Sequence, residues 1–287
     1  MTYKILEKEF ADWTNYSHAI ALNSGTSAIH LALLAFGVGY GDEVIVPDFT
    51  FASCAFAVSY CGATPIFIDC DDTYNIDVTQ IEKKITEKTK VIMAVHIYGR
   101  RCNMEKIHKI AKKHNLYVLE DLSEGHGIQP SGDIAIYSFQ ETKIIHAEEG
   151  GILVTDNERW AKEISLRKTL ANRGDYYHPF IGFNYRIPES QAKLALESLR
   201  DVENSLRLRR KKEKEMAGIY LEGKKRDVVW VYDILYATKH DRDEALQRIP
   251  NSRPFFKPLS SLPMYNRQVG KKAQDYSERG LVIKLCI

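Results

Sequence analysis

The sequence predicts an α/β fold: a mostly parallel sheet with helices on both faces, followed by a smaller C-terminal α+β part. Three observations predict it. Short apolar runs alternate with helix-like stretches through the first two-thirds of the chain. Several of those runs are almost continuous Val, Ile and Leu, which suits strands covered on both faces. The texture then changes after about residue 187.

The strand candidates are residues 18–22, 43–46, 65–68, 91–95, 116–119, 134–139 and 151–154. Helical patterns lie between them. In the stretch 103–114, Met104, Ile107, Ile110 and Ala111 share one face. After residue 187, Pro188 and Glu189 read as a helix start. A long helical stretch follows, with Ala192, Leu194, Leu196, Leu199 and Val202 apolar, and then the charged run 207–214. The glutamates within that run make it a solvated helix face and not a nucleic-acid surface. The expected organisation is a large domain over 1–187 and a small one over 188–287, led by the long helix.

The chain has 287 residues, enough for a sizeable core. With 40 basic and 38 acidic residues the net charge is +2, which argues against a dominant nucleic-acid or membrane surface. No apolar run reaches the ~18 residues of a membrane span. The charged N-terminal stretch lacks a signal-peptide core. Cys54, Cys61, Cys70, Cys102 and Cys286 show no C-x-x-C pair and read as reduced thiols in a cytoplasmic protein. Cys and His do not cluster at metal-ligand spacing, so no metal is expected.

Ligands of open α/β sheets sit at the carboxyl ends of the strands. Three polar features fall there. The segment Asn23-Ser24-Gly25-Thr26-Ser27 links a strand to a helix. Gly25 permits close backbone approach, and a helix N-terminus offers N–H groups to an anion. Taken alone, the signal is weak, and a plain turn with a helix cap is the better explanation. The strand at 116–119 runs out into Glu120 and Asp121, where Asp121 serves either as a helix cap or to orient a catalytic group. The strand at 134–139 runs out into a polar loop holding Ser138 and Lys143. A lone loop lysine is ordinarily a solvated charge. Here a phosphate-type loop, a strand-end acid and a strand-end lysine converge on one rim, as pyridoxal-phosphate (PLP) chemistry requires.

The chain resembles the DegT/DnrJ/EryC1/StrS sugar aminotransferases, within the fold-type I, aspartate aminotransferase-like PLP enzymes. The resemblance rests on NSGTSAIHLAL (23–33), VPDFTFASCAFAV (46–58), PIFIDCDDTYNID (65–77), VHIYGRRCNM (95–104), VLEDLSEGHG (118–127), GDIAIYSFQETKIIHAEEGG (132–151) and FNYRIPESQAKLAL (183–196). The segment RPFFKPL (253–259) is similar to the C-terminal motif of the subgroup containing GDP-perosamine synthases.

The resemblance implies a role for each matching residue. Lys143 matches the Schiff-base lysine and Asp121 the acid that keeps the pyridine nitrogen protonated. Glu124 stands where the family commonly has Gln near the cofactor's 3′-oxygen. A second carboxylate there is electrostatically awkward unless it is protonated or turned away. Phe51 matches an aromatic stacked on the ring. Gly25, Thr26, Ser27 and Ser138 match phosphate contacts. Asn184 matches an asparagine that reaches a neighbouring subunit's phosphate, which implies a homodimer with shared sites. His96 and Tyr98 either face the substrate or serve as structural hydrogen-bonding groups. His146, Glu148 and Glu149 are open to sugar contact or loop packing, and Arg186 to anion binding or an ion pair with the long helix.

The implied reaction moves an amino group from L-glutamate to a nucleotide-linked keto sugar, a 4-keto-6-deoxy sugar in the expected case. It belongs to amino-sugar and cell-surface polysaccharide biosynthesis. Two alternatives stand beside it. One is an inactive PLP-fold binding or structural protein, against which intact Lys143 and Asp121 count. The other is a PLP-dependent sugar dehydratase, whose 3-dehydrating members replace the lysine with histidine. The chain is shorter than family members before Asn23, between about Gly223 and Arg253, and at its end, so the sugar pocket is expected to be abbreviated.

Overall fold

The computed structural model describes residues 1–221 and 223–285; Cys286, one of the five cysteines, lies outside the described residues. Seven strands form the main sheet: β1 (His18–Leu22), β2 (Glu43–Pro47), β3 (Thr64–Ile68), β4 (Thr89–Val95), β5 (Tyr117–Asp121), β6 (Ile134–Ser138) and β7 (Gly151–Thr155). Their order is β1-β7-β6-β5-β4-β2-β3. The pairs β2–β3, β2–β4, β4–β5 and β5–β6 are parallel, and β7 runs antiparallel to both of its neighbours. The helices of this part are α1 (Thr2–Thr14), α2 (Gly25–Ala35), α3 (Ser53–Tyr60), α4 (Val78–Ile81), α5 (Met104–His114) and α6 (Glu158–Arg167). Then come α7 (Glu189–Arg200), α8 (Val202–Ala217), β8 (Val231–Leu235), α9 (Lys239–Arg248), β9 (Ser252–Pro254), α10 (Lys271–Arg279) and β10 (Gly280–Lys284). The last three strands form a separate sheet in the order β8-β10-β9.

The expected α/β architecture is therefore present, and the reason is visible residue by residue. Val44, Val46, Val91, Met93, Val95 and Leu119 pack into one apolar cluster with α2 and α3. Their alternating neighbours Ile45, Ile92, Ala94 and Val118 pack into another with Met104, Ile107 and Ala111 of α5. Both side-chain sets of each strand are buried, so the runs read as continuous apolar sequence. One expectation changes: the long helical stretch after Pro188 is two helices. Asp201 sits between them at φ −97°, ψ 7°, outside α-helical geometry.

The small sheet is pinned above the carboxyl ends of the main strands by buried and half-buried charges. Asp48, just past β2, accepts from the Ser260 N–H and hydroxyl at 2.7 Å each. Asp69, just past β3, accepts from the Lys272 and Ala273 N–H groups and so caps α10 from outside its own chain segment. Arg100, beyond β4, donates to both Asp233 oxygens at 2.9 and 2.8 Å, and Arg226 meets the same carboxylate at 2.9 Å. Asp233 is fully buried. Replacing it with Ala takes from buried Arg100 its only carboxylate among the described residues and leaves Arg226 with Glu213 alone, and should cost about 3–5 kcal/mol. Urea unfolding of Asp233→Ala checks this, and a loss below ~1 kcal/mol would contradict it.

Candidate active site

These pins close a cavity of about 700 Å³ between the rim of the main sheet and the small sheet. Ser24, Gly25, Thr26, Phe51, Asp121, Glu124, Ser138 and Lys143 line it from the main sheet side, with Glu149. Trp230, Arg253, Phe256 and Lys284 line it from the other. A second, more open depression of about 860 Å³ lies among α1, β1 and α6, and no predicted site residue borders it.

One end of the cavity is prepared for an anion. The first turn of α2 leaves the Gly25 and Thr26 N–H groups without intrahelical acceptors. The backbone approaches closely because glycine occupies two positions. A Cβ on Gly25 would stand 3.0 Å from that of Ser138, and a Cβ on Gly151 would stand 2.6 Å from the Gly25 nitrogen. The Ser138 hydroxyl thereby joins the loop, held by the Gln140 N–H at 3.3 Å. Ser27 is a correction: it does not line the cavity. Its hydroxyl donates to Asn23 Oδ1 at 2.7 Å, and its N–H donates to Ser24 Oγ at 3.0 Å. Ser24, the helix cap, borders the cavity in its place.

Asp121 ends β5 with its side chain in the cavity and only 4% exposed. Oδ1 accepts from the Ser123 N–H at 2.8 Å, and Oδ2 accepts from the Cys54 thiol at 3.6 Å. Burial pushes the Cys54 thiol well up, so it stays a neutral donor beneath the carboxylate. Glu120 points to the opposite face, as strand alternation requires. There it accepts from His96 Nε2 at 2.7 Å and from the Ser131 and Gly132 N–H groups at 2.6 Å. His96 Nδ1 accepts from the Cys102 N–H at 3.0 Å, which leaves the ring proton on Nε2. His96 is thus a structural link, fully buried behind the site.

Tyr98 is structural too. Its ring packs on Phe256 at 5.4 Å, and its backbone sits at φ 51°, the left-handed region. That conformation directs its N–H to Glu124 Oε2 at 2.8 Å. Burial raises the Glu124 carboxyl to about 7, against the lowering effect of the nearby Lys143. Glu124 thus holds its proton more readily than an ordinary glutamate, the direction that eases the conflict expected of a second carboxylate here.

Lys143 lies on a tightly wound loop. Its N–H donates to Gln140 O at 2.8 Å, and Gln140 Oε1 accepts from the Thr142 N–H at 3.0 Å. Burial lowers its proton affinity, while the charges of Glu124 and Asp121 oppose that effect. Its Nζ rests 3.9 Å from the centroid of the Trp230 ring. Phe51 presents an exposed ring at the cavity edge, in edge contact with Phe256 at 6.2 Å.

Asn184 is exposed and lies outside this cavity; its Oδ1 accepts from Arg186 Nη2 at 2.8 Å. Arg186 makes that contact and no ion pair among the described residues. Of the acid-rich loop, Glu149 borders the cavity, whereas His146 and Glu148 border a separate shallow groove. Sequence reasoning assigned no role to Trp230, Arg253 or Cys54. Arg253 and Cys54 do lie inside quoted motifs, and Cys54 follows Phe51 by one helical turn. Nothing local marks Trp230.

The arrangement can hold a flat molecule with an anionic tail at Gly25, Thr26 and Ser138, a cationic ring atom at Asp121, and a carbonyl carbon within reach of the Lys143 amine. Comparison with known proteins agrees. The model of the DegT/DnrJ/EryC1/StrS aminotransferase family matches residues 2–285. The chain is 38% identical over 289 residues to the GDP-perosamine synthase of Caulobacter vibrioides, covering 90% of this chain and 77% of that protein. It is 37% identical to the GDP-perosamine synthase of Escherichia coli over 96% of this chain and 82% of that protein. The crystal structure of NtdA from Bacillus subtilis with bound PMP superposes with a TM-score of 0.87 at 27% identity, covering 99% of this chain and 72% of that one. The chain belongs to the DegT/DnrJ/EryC1/StrS aminotransferase family.

Proposed function

We infer that this cavity takes pyridoxal 5′-phosphate and that the protein moves an amino group from L-glutamate to a nucleotide-linked keto sugar. The observation that carries this reading is the convergence of Lys143, Asp121 and the anion-ready loop in one cavity. The relatives named GDP-perosamine synthase and the PMP-bound neighbour support it, and a 4-keto-6-deoxy sugar is the acceptor that the family resemblance implies.

The residues present fit the cofactor. Gly25, Thr26, Ser24 and Ser138 would hold its phosphate, Asp121 its ring nitrogen, Phe51 its face and Lys143 its carbonyl carbon. When bound, PLP supplies an electron sink conjugated to that carbon. The protein supplies orientation and proton transfer. Lys143, with its proton affinity lowered by burial, can act as nucleophile and then as base and acid at Nζ. Asp121, anchored by Ser123 and Cys54, would hold the protonated ring nitrogen. Arg253 and Lys284 put positive charge at the mouth, where the carboxylates of glutamate and the diphosphate of a nucleotide sugar would enter.

Asn184, exposed and away from its own cavity, suits contact with a second subunit's phosphate, so the working form in this reading is a homodimer with shared sites. Cytoplasmic residence belongs to the same reading. The free thiols Cys54, Cys61, Cys70 and Cys102 support a reducing compartment, and no helix among the described residues is long and apolar enough to cross a membrane.

A single experiment tests the function. PLP-loaded protein, sized by light scattering as a dimer, is mixed with L-glutamate alone. Its long-wavelength cofactor absorbance should convert to that of the amine form with release of one equivalent of 2-oxoglutarate. Nucleotide-linked 4-keto-6-deoxy sugars should then be converted to amino sugars detectable by mass. A protein that retains no cofactor, or whose bound cofactor ignores glutamate, supports the binding-protein reading instead.

A further inference from the structure

Trp230 enters the cavity from the small sheet, immediately before β8, and is only 6% exposed. Three independent contacts fix it. Its indole N–H donates to the Thr142 carbonyl at 2.9 Å. Its own carbonyl accepts from Arg209 at 2.9 Å. The preceding Asp227 and Val228 N–H groups donate to Gly99 O at 3.0 and 2.9 Å. Gly99 has φ 77° and lies so close to the Val228 carbonyl that no Cβ would fit. The ring thus held has the Lys143 Nζ 3.9 Å from its centroid, inside the range of a cation–π contact.

We propose that Trp230 is a positioning residue that parks the Lys143 amine whenever that amine is not bonded to the cofactor. The proposal rests on the functional reading above. In transamination the lysine must leave the cofactor carbon, stay within reach as base and acid, and return. A free lysine stem has large rotamer freedom, which a fixed contact at both ends reduces. Trp230 holds both ends: the backbone through Thr142 and the ammonium through the π face. The groups whose charges reach the amine from the packed elements are Asp121 at the end of β5, Glu124 just beyond it, Cys54 on α3 and Arg253 on β9, and the amine's charge in turn reaches His126. The indole face lies 3.9 Å from Nζ and favours the charged form of the amine.

The test compares wild type, Trp230→Phe and Trp230→Leu as apoproteins. Each is titrated with PLP and, separately, with pyridoxamine phosphate across pH, and folding is checked by circular dichroism. PLP capture needs neutral Lys143, so its pH midpoint reports the amine, whereas pyridoxamine phosphate forms no bond to it. In Trp230→Leu the PLP midpoint should fall by about 0.5–1.5 pH units, because the ammonium has lost its π face. Trp230→Phe should stay within about 0.3 units of wild type. Pyridoxamine phosphate affinity should change less than about threefold in either variant. An unmoved PLP midpoint in folded Trp230→Leu overturns the proposal, as does an equal loss of affinity for both cofactor forms, which marks general damage to the cavity. Failure of the wild type to bind PLP overturns the functional reading instead.

Discussion

Lys143→Ala should lose more than about 10⁴-fold in transamination rate, because the one side chain is asked to be nucleophile, base and acid. The loss should appear in both half-reactions, since the same amine serves the donor and the acceptor. The fold should survive: Lys143 makes its backbone bond to Gln140, and the Thr142 carbonyl still receives the Trp230 indole. Stopped-flow absorbance with L-glutamate, and then with a keto sugar, measures the two halves. Activity within tenfold of wild type would remove Lys143 from the chemistry.

Asp121→Asn should lower the rate of both half-reactions by about 10²–10³-fold, the scale expected when one fixed electrostatic partner of a reacting system is removed. Asparagine has nearly the same volume, so the cavity keeps its shape. The Ser123 N–H can still bond an amide oxygen at the Oδ1 position, but the negative charge is gone. The partner of Asp121 would be a ring nitrogen that must stay protonated to accept electrons. Bound cofactor should therefore persist while turnover falls. Rates within threefold of wild type would show that Asp121 has no part in holding the ring charge.

The sheet was legible because its strands are buried on both faces. Val44-Ile45-Val46 and Val91-Ile92-Met93 send alternate side chains to two different clusters, and each demands an apolar residue at every position. The main-sheet half of the site was legible for a related reason. In a parallel sheet the functional polar residues stand where apolar runs end, as Asp121 and Ser138 do. Finer assignments depended on orientation. Glu120 and Asp121 are adjacent, yet one is spent on His96 and the other faces the cavity. Ser27 matches a phosphate contact in sequence, yet its hydroxyl is turned to Asn23, while Ser24, to which the sequence assigned no role, borders the cavity.

The small-sheet half was not legible in the same way. Trp230 and Arg253 have no periodic signature. They reach the site because Asp48, Asp69 and Asp233 bind residues far along the chain. The break at Asp201 was equally hidden, since no Gly or Pro announces it.

The most direct measurement is borohydride reduction of the PLP-loaded protein followed by proteolysis and peptide mass mapping. A covalent bond between cofactor and lysine becomes permanent under these conditions. The added phosphopyridoxyl mass is expected on Lys143 alone, and it should vanish if L-glutamate is added before the reductant. Label on any other lysine, or label on Lys143 that glutamate fails to remove, would contradict the assignment of this cavity as a transamination site.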